Sequence, residues 1–222
     1  MPDVPALPRA FALSPSHAAL LIIDMQRDFL EAGGFGESLG NDISLLRRTI
    51  GPIARLLSAW RARGLIVVHT REGHAADLSD LPDAKSRRGN PRHPIGDAGP
   101  MGRLLIRGEA GHAIIPELSP QDSEIVIDKP GKGAFYATSL HDDLRARGVR
   151  HLIVVGVTTE ICVHSTVREA NDRGYDCLVL ADCTASYFAE FHDSALRMIS
   201  AQGGILGFVG QSADVLTALN AE

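Results

Sequence analysis

The chain has 222 residues, 45% of them hydrophobic and 22% charged, with a formal net charge of −5. That length fits one domain with a substantial core, and the acidic balance gives no electrostatic reason to expect nucleic acid or an anionic membrane as partner. Three cysteines without paired spacing point to reduced thiols. With neither a basic leader nor an apolar run long enough to span a bilayer, a cytoplasmic protein is expected.

In chain order, residues 1–17 carry Pro2, Pro5, Pro8 and Pro15 and read as an extended arm ahead of a single domain over 18–222. Strands are predicted over 18–24, 65–70, 124–128, 151–156, 177–181 and 204–209. Nearly all are continuous apolar runs, the pattern of parallel strands covered on both faces. Helices are predicted over 44–63, 139–147, 160–173, 191–202 and 212–219. Gly64, Gly148 and Gly174 follow three of them, where a helix end favours glycine. The alternation predicts an α/β fold: a doubly wound, mainly parallel six-stranded sheet flanked by helices in three layers. Residues 72–123 break the rhythm. They are rich in Gly, Pro, Arg and His, and Lys85, Arg87, Arg88 and Arg92 make them locally basic. So long an irregular segment covers a site or builds a subunit contact, unless it is simply a solvated face. Asp24-Met25-Gln26 stands where a glycine-rich phosphate loop would follow the first strand, so no nucleotide cofactor is expected.

Three of the apolar runs end in chemistry. Leu20-Leu21-Ile22-Ile23 runs into Asp24, Ile125-Val126-Ile127 into Asp128-Lys129, and Leu152-Ile153-Val154-Val155 into Gly156-Val157-Thr158-Thr159-Glu160-Ile161-Cys162. In a parallel sheet the carboxyl ends of the strands share one edge, where ligands bind. Asp24, Lys129 and Cys162 therefore converge there. A lone cysteine after a strand is ordinarily a small buried hydrophobe, and Asp24 alone could be a helix cap. An acid, an ammonium and a thiol together look like an activated nucleophile. Cys162 falls in the first turn of a helix, whose unpaired N–H groups and dipole, with Lys129, are expected to raise the thiolate fraction. Cys177, inside a strand, and Cys183 lack this setting and read as structural.

The segments Ile23-Asp24-Met25-Gln26-Arg27-Asp28-Phe29, Asp128-Lys129-Pro130 and Gly156 to Cys162 together resemble the isochorismatase-like cysteine hydrolases. His69-Thr70-Arg71-Glu72-Gly73-His74, Lys129-Pro130-Gly131-Lys132-Gly133 and Gln202-Gly203-Gly204 are similar to the biuret and triuret hydrolase branch. The resemblance implies Cys162 as nucleophile, Asp24 as acid and base, and Lys129 as electrostatic partner. It further implies a cis peptide between Val157 and Thr158, an oxyanion hole from the N–H groups of Thr158 and Cys162, and a homotetramer. By the same resemblance Phe29, Lys132 and Gln202 line the substrate pocket, and Phe35 is expected to bind substrate with them.

Two departures from the pattern matter. Metal-dependent members carry an Asp-x-His element; Glu72-Gly73-His74 is the nearest counterpart here and does not supply a metal's ligand set, so no metal is expected. After Asp182, Thr184-Ala185-Ser186-Tyr187-Phe188 differs from the biuret enzyme, and Tyr187 could reach the far end of a longer substrate. The expected activity is deamination of triuret or biuret through a thioester on Cys162. The alternative is a ureidoacrylate or N-carbamoyl amine amidohydrolase, whose carboxylate-bearing substrate calls for an arginine such as Arg71, Arg87, Arg88 or Arg92. A non-catalytic scaffold would be expected to lack a member of the triad, and vinyl-ether hydrolysis of isochorismate has no need of Cys162.

Overall fold

A computed structural model describes residues 2–88 and 92–221. The arm forms three two-residue strands, β1 (Asp3–Val4), β2 (Ala6–Leu7) and β3 (Phe11–Ala12). β4 (Ala18–Ile23) follows, every residue buried. After it come the short helices α1 (Arg27–Leu30), α2 (Phe35–Ser38) and α3 (Ser44–Arg47), then α4 (Ile50–Arg61) and β5 (Ile66–Glu72). The next segment holds α5 (Asp83–Ser86) and a small hairpin of β6 (Ala98–Gly99) and β7 (Gly102–Arg103). Strands and helices then alternate: β8 (Ile125–Lys129), α6 (Leu140–Ala146), β9 (His151–Val157), α7 (His164–Asp172), β10 (Asp176–Ala185), α8 (Ala189–Gly204), β11 (Phe208–Gly210) and α9 (Ser212–Asn220).

The main sheet runs β2-β11-β10-β9-β4-β5-β8. Its six parallel strands, numbered along the chain, lie in the order 3-2-1-4-5-6, so the winding reverses between β4 and β9. The seventh strand corrects the expected count of six: β2 of the arm pairs antiparallel with β11 and covers that edge. Successive residues of β4 point to opposite faces. Leu20 and Ile22 pack with Trp60 and Leu56 of α4 and Val215 of α9. Leu21 and Ile23 pack with Leu144 of α6, Val167 of α7 and Ile199 of α8. These are the two outer layers of the sandwich.

Gly64, Gly148 and Gly174 take positive φ of 63°, 69° and 81° behind their helices, as the sequence predicts. The helix predicted over 44–63 is broken instead. Pro52 has no N–H to give residue 48, so α4 starts afresh at Ile50 with the proline in its first turn, and Thr49 Oγ1 donates to the Leu46 carbonyl. The strand predicted over 204–209 starts only at Phe208, because α8 runs to Gly204 and the bend that follows it occupies residues 205–207.

Candidate active site

The site lies at the carboxyl edge, at the reversal between β4 and β9. Gly156 there has φ of 111°, and a Cβ on it would lie 2.1 Å from the Ile23 carbonyl oxygen. Only glycine lets the end of β9 pass so close to β4. The next peptide, Val157–Thr158, is cis, as the resemblance implied. The chain then enters a wide π-helical turn, Thr159–Val163, that runs on into α7. This turn carries Cys162. Its carbonyl accepts the Thr166 hydroxyl at 2.7 Å.

On the neighbouring strand end, Asp24 takes a left-handed φ of 50° and is fully buried. Its Oδ1 accepts from Thr70 Oγ1 at 2.6 Å, and Lys129 Nζ stands 2.8 Å from Oδ2 without hydrogen-bond alignment. The ammonium donates instead to the carbonyls of Gly131 (3.0 Å) and Lys132 (2.9 Å). Burial works against the charge on Lys129, but Asp24, Cys162 and Glu72 outweigh it and hold its pKa above the ordinary lysine range. The three predicted residues are thus brought together.

Glu72, the last residue of β5, completes the cluster and goes unassigned by sequence reasoning. It is fully buried, and its Oε1 accepts from Lys85 Nζ at 2.8 Å and Lys132 Nζ at 2.7 Å. Its Oε2 lies 4.0 Å from Lys129 Nζ and accepts the Cys162 thiol at 3.5 Å. Burial alone would raise its pKa, yet Lys132, Lys129 and Lys85 hold it well below the carboxylate range. The signal was present: a carboxylate at a strand end on the same edge as Asp24 and Lys129. It would have emerged had the strand predicted over 65–70 been carried two residues further.

These neighbours overturn the expectation of an enhanced thiolate. Burial pushes the Cys162 thiol well above its ordinary pKa; Lys129 and Lys132 lower it, while Asp24 and Glu72 raise it. Burial and the two carboxylates thus favour the neutral thiol, whose proton a base takes at the moment of attack. Atoms of Asp24, Glu72 and Cys162 come within 4.8 Å of one another, close enough to share a metal ion. The Lys129 ammonium, however, already supplies the positive charge between the two carboxylates. His74 does not join Glu72 as a ligand, because Lys85 Nζ sits between them, 2.9 Å from His74 Nε2.

A cavity of about 270 Å³ opens onto Cys162. Phe29, Phe35, Leu39, Ile161 and Phe188 make it largely apolar, and Glu72, Lys132, Asn41 and Glu160 provide the polar wall. Of the predicted pocket residues, Phe29, Phe35, Lys132 and Tyr187 line it, as do Thr158 and Cys162. Tyr187 spends its hydroxyl on the Phe29 carbonyl at 2.9 Å, so it fixes the aromatic wall. Gln202 is a correction. α8 starts beside the cavity and runs back along the sheet, so residue 202 lies exposed at the opposite edge, beside the Arg9 contact to Gly203. Arg71, Arg87, Arg88 and Arg92 do not line the cavity either; Arg71 pairs with Asp128 at 2.6 Å.

The irregular segment over 72–123 is packed in its described part, with Leu104, Leu105, Ile106 and Ile115 buried. It props the loop behind Asp24: Arg27 and Asp28 donate backbone N–H groups to Ala113 and Gly111, and Gln26 Nε2 donates to the His112 carbonyl. Lys85, one of the four cations that make this segment locally basic, turns inward to Glu72.

Residues 18–208 match the sequence model of the isochorismatase domain. The chain belongs to the isochorismatase family. Among its relatives, ureidoacrylate amidohydrolase RutB of Variovorax paradoxus (strain S110) is 35% identical over 185 residues, covering 82% of this chain and 73% of that protein. RutB of Serratia proteamaculans (strain 568) is 33% identical over 196 residues, covering 86% and 79%. The crystal structure of a cysteine hydrolase from Pseudomonas syringae pv. phaseolicola 1448A superposes with a TM-score of 0.82 at 25% identity, covering 100% of this chain and 98% of that one. The isochorismatase-like hydrolase fold is therefore shown, and the two RutB relatives are named as amidohydrolases. Among the described residues, no helix is long and apolar enough to cross a membrane.

Proposed function

We propose that this chain is a metal-independent cysteine amidohydrolase that cleaves a C–N bond of a small ureido compound. The observation that supports it best is the placement of Cys162 Sγ, at a cavity floor and within reach of two buried carboxylates and a buried ammonium. Asp24 takes the thiol proton as the sulfur bonds to the ureido carbon. The carbonyl oxygen becomes an oxyanion held by the N–H groups of Thr158 and Cys162, each such donor being worth about 3 kcal/mol. The C–N bond breaks, Asp24 returns the proton to the departing nitrogen, and an acyl group stays on sulfur. Water then gives a proton to Asp24 and its oxygen to the acyl carbon; the C–S bond breaks and the thiol is reprotonated. The Lys129 ammonium, 2.8 Å from Asp24 Oδ2, holds that carboxyl group in place between steps.

The RutB relatives favour a ureidoacrylate-type substrate over triuret or biuret. In that reading Lys132 and Asn41 receive its carboxylate. One observation favours an uncharged ureido compound instead. Among the described residues, Lys132 is the only cation in the cavity wall, and it is already paired with Glu72. We also propose the homotetramer that the family resemblance implies, which light scattering would check. The deciding experiment measures ammonia release from ureidoacrylate, an N-carbamoyl amine, biuret and triuret, with Cys162→Ser alongside. Turnover of one of them, lost in the variant, supports the proposal; equal turnover in both proteins refutes it.

A further inference from the structure

Glu72 is a buried carboxylate in direct contact with the sulfur, surrounded by three ammonium groups and absent from the Asp–Lys–Cys scheme. Lys85 and Lys132 close on one oxygen; the thiol and, further off, Lys129 approach the other. Its surroundings argue against its being the base. Three cations stabilise its charge, whereas Asp24 faces one ammonium and a hydroxyl. The cluster of Asp24, Glu72, Lys85, Lys129 and Lys132 carries one positive charge while the thiol is protonated and none once the sulfur is ionised. Without Glu72 the cluster would carry two, and the thiolate would be favoured from the start. Glu72 also fixes Lys132, whose side chain is 43% exposed at the cavity mouth and has Glu72 as its ion-pair partner.

We propose that Glu72 is a positioning residue that holds the resting nucleophile as a neutral thiol and anchors Lys132 in the substrate wall. The proposal rests on Cys162 being the nucleophile, and it concerns when that nucleophile becomes charged. The groups facing the sulfur are Asp24 from the end of β4, Glu72 from β5, Lys129 and Lys132 from β8 and its loop, Tyr187 after β10, and Glu160 on its own turn. Among the described residues, only the Glu72 carboxylate accepts a hydrogen bond from it.

The test is alkylation of Cys162 by iodoacetamide across a pH series, followed by peptide mass mapping, in wild type, Glu72→Gln and Glu72→Asp. Wild type is expected to alkylate with a midpoint above the ordinary thiol value of about 8.5. Glu72→Gln should alkylate about tenfold faster at neutral pH, because removing a like charge at this distance moves a pKa by about one unit. Its turnover should fall in the same preparation, with a raised KM as Lys132 loses its anchor. Glu72→Asp keeps the charge and should keep the midpoint while KM still rises. A role confined to packing would slow turnover without accelerating alkylation. An unchanged alkylation profile in folded Glu72→Gln overturns the proposal, as does a midpoint shift in Glu72→Asp as large as in Gln. Should Glu72→Gln not fold, a wild-type midpoint at or below the ordinary value overturns it and one well above supports it. Failure of the underlying reading looks different: Cys162→Ser would then retain turnover whatever Glu72 does.

Discussion

Two buried carboxylates stand at opposite ends of the same pair of strands. Glu124, at the amino end of β8, is gripped by Arg61 through Nε at 2.6 Å and Nη2 at 2.8 Å, and its Oε2 lies 2.9 Å from His69 Nε2. Burial opposes its charge, but the Arg61, Gln121 and His69 contacts prevail and hold its pKa at about 2. Glu72, at the carboxyl end of β5, is held down by three lysines beside a cavity and a thiol. The planar guanidinium fork closes on Glu124 and leaves it nothing further to do. Point-charge ammonium groups around Glu72 leave one oxygen facing a sulfur whose charge must change. Position on the sheet separates the roles: the carboxyl edge, at the winding reversal, is where this fold gathers ligands.

The comparison predicts separable defects. Lys129→Met leaves Asp24 and Glu72 buried with their shared cation gone. It should lower kcat by ~10³-fold or more and destabilise the fold by about 3–5 kcal/mol, visible in ammonia release and thermal melting. Glu124→Gln should cost about 2–3 kcal/mol in denaturant melts while kcat stays at the wild-type value. A large loss of kcat there would break the division of labour. The pH dependence has a definite sign. Glu124 has a depressed pKa, so its stabilisation is complete above its ordinary value of 4.5 and is lost as pH falls towards about 2. Wild type should lose stability across that window more steeply than Glu124→Gln. The smallest effect belongs to Gln202→Ala, which sits at the amino edge like Glu124. Its KM should be unchanged and its stability within about 0.5 kcal/mol of wild type.

Asp24, Lys129 and Cys162 were legible in the sequence because each ends or follows an apolar run, and a parallel sheet brings such ends to one edge. Glu72 obeys the same rule, but Arg71 interrupts the apolar pattern and hides the last two residues of its strand. The groups that oppose ionisation of Cys162 were not legible. A helix start and a nearby lysine point to a thiolate, whereas full burial and two carboxylates appear only when the strands are assembled. Gln202 failed for a related reason: motif likeness named it, while the direction of α8 puts it on the wrong edge. The arm's place in the sheet was hidden too, since two-residue strands leave no periodic pattern. The break in the predicted 44–63 helix was missed, although Pro52 carries its signal in the sequence.

The most direct test of the account is mass mapping of Cys162 after rapid quenching of the enzyme turning over its best ureido substrate. The account predicts a carbamoyl-type acyl adduct on the Cys162 peptide that forms before product and disappears as substrate is exhausted. Sustained turnover with Cys162 unmodified at every quench time, and with Cys162→Ser equally active, would contradict it.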